Sequence, residues 1–447
     1  MQNMNIIIST HNQTEYVKLS LQSIRMFADI DHLSVILIDN NSTDGLQEWA
    51  TEQTDITYIF NDEENMPYGR IINQVHSMLD LTGDLLLLDP HFMLTPACLS
   101  RMISTLYEQE DIGAVGPMSN SFTYYQKNVD FSDYEKAVWC AGQIQESASQ
   151  QVMVLASGAF LIREDVFNQL GDFDESIQTS TYAIRDYCFR MIEKNIVLKV
   201  CKTALFWDAR NIPSLISPNN FDEKRLEEKW GMHYFNSVGN LHLINTIKHN
   251  HSDSINILEI GCDCGATLLE IKNRYPNANV YGSELNEKAA QIASHFATVT
   301  VNNIEDANLP YDDSMFDYII LGDVLEHLHD PQKTLQYCKT LLKDNGCIIA
   351  SIPNLMHISV MEDLLKGYFT YTETGLLDKT HIHFFTYYEI VRMFQTCGYQ
   401  IKDMGNVVLP ITEKQISLIK QLSSIYDIPR LMYETFQYVL CAQKSNT

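Results

Sequence analysis

The sequence predicts two successive α/β domains, and three observations carry that expectation. The chain has 447 residues, more than one ordinary core accommodates and enough for two domains of about 200 residues each. Apolar runs of strand length recur between helical patterns at residues 5–9, 34–38 and 84–88, and again at 256–260, 279–282, 318–321 and 347–351. Such alternation marks parallel strands joined by covering helices. Between the two series lies a polar break, residues 209–254, which holds the helix-prone DEKRLEEKW and ends in the loop-like HNHSDS. The expected boundary falls near residue 235, giving domains at 1–234 and 235–447, with residues 235–249 read as a helix leading into the second.

Hydrophobic residues make up 45% and charged residues 20%, the balance of a folded chain rather than a disordered one. Acids outnumber bases by 57 to 31, and the formal charge of -26 repels polyanions, so nucleic acid is not an expected partner. No apolar run approaches the ~20 residues of a membrane helix. The opening MQNMNIIISTHNQ has neither the basic nor the long apolar segment of a secretory leader. A cytoplasmic protein without a transmembrane segment is expected, with peripheral membrane contact left open. Ten cysteines occur without a CxxC pair, and Cys98, Cys201, Cys347 and Cys441 sit in apolar runs, where a thiol serves as a small hydrophobe.

In the second domain the strand INILEI runs into Gly261-Cys262-Asp263-Cys264-Gly265 and then into the helical ATLLEIKNRY. Glycines there allow a tight turn and let a ligand approach the backbone beside a helix amino terminus. A plain strand-to-helix turn would look the same, so later segments decide. The next strand, ANVYGSE, ends in Glu284, where an acid can accept both ribose hydroxyl protons of a nucleotide at the carboxyl ends of the strands. A third segment, VTVNNIEDANLPYDDSMFDYIILGDVLEHLHDP, sets Asn303 and Glu305 after one strand and Asp323, Glu326 and His327 after another.

Taken in order, EIGCDCG, the acid after YGS, NIEDANLPY and FDYIILGDVLEHLHDP resemble the successive motifs of class I S-adenosylmethionine-dependent methyltransferases. The resemblance implies a Rossmann-like seven-stranded domain that binds S-adenosylmethionine through Glu259, Gly261, Cys262, Gly265, Glu284, Asn303 and Ile304. In that family the glycine loop supports the methionine part, the acid holds the ribose, and the residue at Asn303 lies by the adenine. Asp263 replaces the usual small residue of the loop and Asn303 the usual acid, although asparagine can still accept a bond from the adenine amino group. SIPNLMH and GLLDKTHIHFFTYYEI resemble the tail of methyltransferases from bacterial polysaccharide clusters, where the phrase closes over the acceptor and His383 stands in place of arginine. TFQYVLCAQK is expected as the antiparallel closing strand and residues 412–424 as a helix. Methyl transfer to a hydroxyl needs alignment and a group to take the proton, for which His327, His381 and Asp323 are the candidates. A hydrogen-bonded structural histidine is the competing reading of each histidine, and His381 can serve only to brace the lid.

In the first domain NIIISTHNQ and SVILIDNNSTDGLQEW place Asp39 at the end of the second strand, before a turn of Asn40, Asn41, Ser42, Asp44 and Gly45. Such side chains bond their own backbone, and alone they mark an ordinary helix entry. FNDEENMPYGRIINQ, GDLLLLDPH, SGAFLIREDVFNQLGDFDE and RDYCFRM follow, and together residues 3–210 resemble family 2 glycosyltransferases; AVGPMSNS is similar to the variety fused to methyltransferases in cell-surface polysaccharide clusters. The resemblance implies a GT-A-like fold that binds a nucleotide sugar through Thr10, Asn12, Asp39, Asn41 and Asp89. It also implies manganese or magnesium on the diphosphate, where a cation neutralises the charge of the departing nucleoside diphosphate. The metal motif reads Asp89-Pro90-His91, with histidine where an acid is usual, and the family's downstream histidine falls on Asp208. An exchange of acid and histidine would leave Asp89, His91 and Asp208 as a mixed ligand set. The acidic pair that supplies the base falls on Ala183-Ile184, leaving Asp186 as the candidate base, with Asp174 and Glu175 near by. Against that stands an ordinary helix in which Asp186 and Arg190 pair at four-residue spacing.

The two resemblances imply a bifunctional enzyme of bacterial surface glycan biosynthesis, which transfers a sugar from a nucleotide-sugar donor and methylates a sugar hydroxyl with S-adenosylmethionine. The acceptor is expected to be a saccharide, a lipid-linked saccharide or a glycoprotein. The alternative is a methyltransferase whose first domain is a noncatalytic glycan-binding or scaffolding module.

Overall fold

The first series of apolar runs forms β1 (Met4–Thr10), β2 (Leu33–Asn40), β3 (Thr57–Asn61) and β4 (Asp84–Leu88), which pair in parallel in the order β3-β2-β1-β4. Burial on both faces is the reason these runs are continuously apolar: Ile6, Ile8, Leu37, Leu86 and Leu88 share one core with Val17, Leu21 and Ile24 of the helix Thr14–Phe27. Five strands extend the sheet: β5 (Phe92–Leu94), β6 (Ile112–Ser119), β7 (Ser149–Val152), β8 (Ala159–Ile162) and β9 (Val197–Asp208). The order continues β4-β8-β6-β9-β5, with β7 also on β9, and β8 runs antiparallel to both neighbours. Residues Thr10 and Asp39 sit opposite each other at the carboxyl edge of β1 and β2, and Asp89 follows β4 on the same edge.

The protein is described from a computed structural model that covers residues 3–28, 30, 32–63, 65–121, 132–146, 148–210, 220–231 and 237–445. It divides into two units, Met1–Tyr234 and Phe235–Thr447. Among the described residues the first unit holds a nine-stranded sheet and the second a seven-stranded one.

The second sheet comprises β10 (Asn256–Ile260), β11 (Asn279–Glu284), β12 (Thr298–Val301), β13 (Phe316–Gly322), β14 (Leu342–Pro353), β15 (Tyr399–Val408) and β16 (Thr435–Lys444). Its order is β12-β11-β10-β13-β14-β16-β15, parallel through β14, with β16 inserted antiparallel between β14 and β15. This is the seven-stranded Rossmann-like arrangement expected from the sequence. From β10 the chain pairs outward to β11 on one side and β13 on the other, which opens a crevice at their carboxyl ends.

Two helix expectations come out differently. The helix read over residues 235–249 shrinks to Leu241–Ile244 among the described residues, capped by the Asn240 side chain at 3.3 Å from the Leu243 amide, and residues 235 and 236 lie outside the described set. So short a segment does not hold as a helix on its own; Leu243, Ile244 and Ile247 fix it by packing into the core under β10. The helix read over 412–424 runs instead Glu413–Tyr426, opened by a capping box between Thr412 and Gln415. With Ile358, Ile419, Leu422 and Tyr433 it builds a small separate cluster in the second unit. Among the described residues no helix is long and apolar enough to cross a membrane.

Candidate active sites of the two domains

The turn after β10 is held in left-handed conformations at Gly261 (φ 69), Asp263 (φ 45) and Gly265 (φ 86). A Cβ on Gly265 would stand 3.0 Å from both Cα and Cβ of Ala293, so the helix Ala266–Arg274 can start here only behind a glycine. The loop is stitched to the end of β11. The amides of Gly261 and Cys262 donate to the Ser283 carbonyl at 2.8 and 3.3 Å, and the Asp263 amide donates to Glu284 Oε2 at 2.9 Å. Glu284 Oε1 accepts from the amides of Leu285 and Asn286, each at 2.8 Å. Three amides therefore fix this carboxylate, and lone pairs are left over for two ribose hydroxyls.

Beneath the loop Glu259 is buried. Its Oε2 has no hydrogen-bond partner among the described residues, and burial, reinforced by the charges of Asp263 and Glu284, pushes the carboxyl up to about 8. Cys262 is buried with its sulfur against the Gly282 position, so its side chain packs and only its backbone lines the loop. Asn303 caps the 3-10 turn Ile304–Asp306 by accepting from the Glu305 amide at 3.1 Å, and Ile304 is buried behind it. These residues fit the S-adenosylmethionine that the sequence implied: Glu284 would meet the ribose, Asn303 and Ile304 the adenine, and the backbone of 261–265 the methionine part.

At the next strand end Asp323 adopts φ 54, with its amide on the Ser351 hydroxyl at 3.0 Å and its carboxylate bonded by Gln437. Burial pushes Asp323 up to about 6. Glu326, three residues on, is 1% exposed, neither of its carboxylate oxygens has a partner among the described residues, and burial, then repulsion from Asp323, pushes it well above the ordinary carboxylate range. Its backbone carbonyl accepts from the amides of Ile382 and His383 at 2.8 and 3.0 Å, which seats the HIHFF segment against the 3-10 turn Leu325–His327. That contact brings the His327 and His381 rings to a centroid separation of 4.8 Å. Burial, then the neighbouring His327, lowers the His381 pKa. Phe384 lies edge-on to His381 and joins Phe369 and Tyr371 in an aromatic group whose last two members are 41% and 54% exposed. His383 bonds the His329 carbonyl at 3.3 Å. Glu326 and the aromatic group were not named as site residues from the sequence; the doubled acid in DVLEH was the readable signal for the first, whereas the second is assembled by the fold.

In the first unit the ends of β1 and β2 are tied together. Asn12, at φ 53, donates its amide to the Ser42 hydroxyl at 2.9 Å and accepts from the Thr43 amide at 2.7 Å. Asp39 is fully buried, with the Ser42 amide and the Tyr58 hydroxyl each 2.8 Å from its oxygens. Thr10 donates to Gln13 at 3.2 Å, and Asn41 takes the left-handed φ of 59 that the turn requires. Asp89 Oδ1 accepts from the His91 amide at 2.9 Å and meets His91 Nδ1 at 2.6 Å. Burial would raise Asp89, yet His91 and then Arg210 hold it below the ordinary carboxylate range.

The expected ligand exchange meets an obstacle at Asp208. Its carboxylate is taken by the Arg210 guanidinium, at 2.9 Å from Nε to Oδ1 and 2.6 Å from Nη2 to Oδ2, and it is 0% exposed. Asp89, His91 and Asp208 do not converge as three ligands among the described residues. Asp186 is likewise engaged. It is 1% exposed and bonded by Lys229 and by the Trp230 indole at 3.0 Å, so it ties the helix Ser180–Glu193 to the helix Asn220–Trp230 rather than facing an acceptor. The expected pairing with Arg190 is replaced as well, since Arg190 donates to the carbonyls of Asp172 and Leu170. Ala183 and Ile184 are buried in the core, and Asp174 is held to about 2 by Lys229 and Ser176 against the effect of burial.

Each unit thus presents polar side chains at the carboxyl edge of a parallel sheet, and the second adds a glycine loop tied to Glu284. Residues 5–171 match the model for glycosyl transferase family 2, and residues 232–403 match a methyltransferase domain model. The chain carries a family 2 glycosyltransferase domain followed by a class I methyltransferase domain. Among curated proteins, a ubiquinone biosynthesis O-methyltransferase of Shewanella sp. is 25% identical over 186 residues, 38% of this chain and 78% of that protein. A putative methyltransferase of Rickettsia prowazekii is 28% identical over 181 residues, 38% of this chain and 75% of that protein. Among solved structures, a S-adenosylmethionine-dependent methyltransferase of Methanosarcina mazei is 19% identical with a TM-score of 0.34, covering 46% of this chain and 99% of its own.

Proposed function

We propose that the protein is a cytoplasmic bifunctional enzyme of surface glycan assembly, in which one half transfers a sugar from a nucleotide sugar and the other methylates a hydroxyl of a saccharide acceptor. The observation that carries the saccharide reading is the aromatic group beside His381, in which exposed Phe369 and Tyr371 pack on half-buried Phe384. Aromatic faces of this kind stack on the C–H faces of sugar rings, while polar groups at their edge meet the hydroxyls. S-adenosylmethionine, when bound, supplies an electrophilic methyl group. Glu284, Asn303 and the 261–265 backbone hold it, and Asp323, His327 and His381 orient the acceptor hydroxyl and manage its proton.

On the sugar side, Thr10, Asn12, Asp39 and Asn41 form the nucleotide-binding edge, and Asp89 with His91 faces the diphosphate and its manganese or magnesium, with Asp208 withheld by Arg210. A lipid-linked saccharide or a glycoprotein would present the acceptor sugar equally well, the former through peripheral contact with a membrane. The test is incubation with nucleotide sugars, saccharide acceptors and S-adenosylmethionine labelled in its methyl group. Label should enter saccharide and vanish in Glu284→Ala, and donor cleavage should vanish in Asp89→Ala. Label entering only non-saccharide compounds would overturn the acceptor assignment.

A second reading is favoured by the engagement of Asp186 and Asp208: the first domain binds a glycan or nucleotide sugar without turnover, and the second alone is an enzyme. Binding of a nucleotide sugar without cleavage, in the same experiment, selects it.

A further inference from the structure

We infer that Glu326, His327 and His381 form a divalent-cation site in the methyltransferase domain, and that the cation there holds the acceptor hydroxyl. One ligand atom from each of the three residues lies within 4.8 Å of the others, close enough that small side-chain rotations bring all three onto a single ion. The second observation is Glu326 itself. A carboxyl that is 1% exposed, with neither oxygen bonded among the described residues, carries a cost that native structures avoid unless a partner arrives.

The histidines are prepared for that partner. His327 Nδ1 lies 3.2 Å from the Thr380 carbonyl, and His381 Nδ1 lies 3.3 Å from the Leu376 carbonyl. A carbonyl only accepts, so each Nδ1 carries the proton and each Nε2 keeps its lone pair free to bind an ion. Backbone carbonyls behind imidazole ligands fix ring tautomer and orientation in metal sites generally. The Glu326 carbonyl contributes too, because its bonds from Ile382 and His383 hold the His381 segment beside its own turn.

Two imidazoles and one carboxylate suit zinc, manganese or cobalt better than magnesium or calcium, which prefer all-oxygen shells. Three protein ligands leave positions open on the ion. An acceptor hydroxyl taken up there, next to the aromatic group, loses its proton more readily than a free alcohol, and Asp323 receives it in place of the two ligated histidines. The role given to the bound hydroxyl rests on the methyl-transfer reading above; the cation site itself rests on the three side chains.

The full chain, stripped with chelator, is titrated calorimetrically with Mn2+, Zn2+ and Mg2+, and in parallel with S-adenosylmethionine. With no nucleotide sugar present to bring an ion to Asp89 and His91, one Mn2+ or Zn2+ should bind per chain, tighter than Mg2+, and Glu326→Gln and His381→Ala should each weaken it at least about tenfold while leaving S-adenosylmethionine binding intact. A wild-type chain that takes S-adenosylmethionine but no Mn2+ or Zn2+ overturns the site. Cation binding unchanged in both variants overturns it as well, by placing the ion elsewhere. Should S-adenosylmethionine itself fail to bind, the methyl-transfer reading falls while the cation titration still reports on the site.

Discussion

Asp186 and Glu326 are each 1% exposed, yet their surroundings are opposite. Asp186 receives Lys229 and the Trp230 indole, and it stitches two helices together in the glycosyltransferase domain. Glu326 has no partner on either oxygen among the described residues and stands beside two histidines in the methyltransferase domain. Burial by itself says little about what a carboxylate does; the pairing of its oxygens separates a brace from a site. The same contrast extends over the two halves. Asp208 and Asp174 are paired with Arg210 and Lys229, whereas among the described residues Glu259 Oε2 and both oxygens of Glu326 have no partner, an arrangement that favours a cofactor or ion as the missing contact.

Four outcomes would break or sharpen this comparison, beginning with the largest. Asp186→Ala should destabilise the first domain by about 3 kcal/mol, because it takes the buried acceptor from both the Trp230 indole and the half-exposed Lys229; the shift of the denaturant midpoint measures it, and a change below about 0.5 kcal/mol would mean that Asp186 is no brace. Glu284→Gln should weaken S-adenosylmethionine about 10- to 100-fold, the worth of one charge-assisted contact, with calorimetric titration as the readout.

Third, the Glu259 carboxyl is raised to about 8 in the folded state against 4.5 when unfolded, so the folded form holds an extra proton between those values. Unfolding then releases that proton, and stability falls as pH rises through this window, by up to about 1.4 kcal/mol per unit, before levelling above pH 8. Glu259→Gln should flatten the fall in scanning calorimetry. An unchanged slope would show that Glu259 is ionised in the folded state. Smallest, Glu326→Met should leave the cation-free protein as stable or raise it by about 1 kcal/mol, since an unpaired buried carboxyl is replaced by packing. A loss of about 3 kcal/mol would make Glu326 a brace like Asp186.

Much of the architecture was legible in the chain. Each apolar run named at the outset falls inside an observed strand, because parallel strands buried on both faces must be apolar throughout. Gly265 could be named because a left-handed turn demands glycine, and Glu284 because it closes β11 beside that turn, where it accepts the Asp263 amide. The helix over 235–249 was over-read, since periodicity there came from core contacts of a few residues and not from a sustained helix. Asp186 and Arg190 were read as a local pair, although their partners came from a separate helix and from distant carbonyls.

The sequence by itself determined the two α/β domains, their strand order of appearance, and the identities of the loop glycines and acids, because backbone conformation and strand burial are local demands on residue type. Only the tertiary structure decided which carboxylates are answered. Lys229, 43 residues from Asp186, reaches it across a helix pair, whereas His381 is brought to His327 by two backbone bonds on the Glu326 carbonyl. Neither meeting leaves a mark in composition or periodicity, since each depends on how separate segments pack, and on that packing rests the difference between a brace and a binding site.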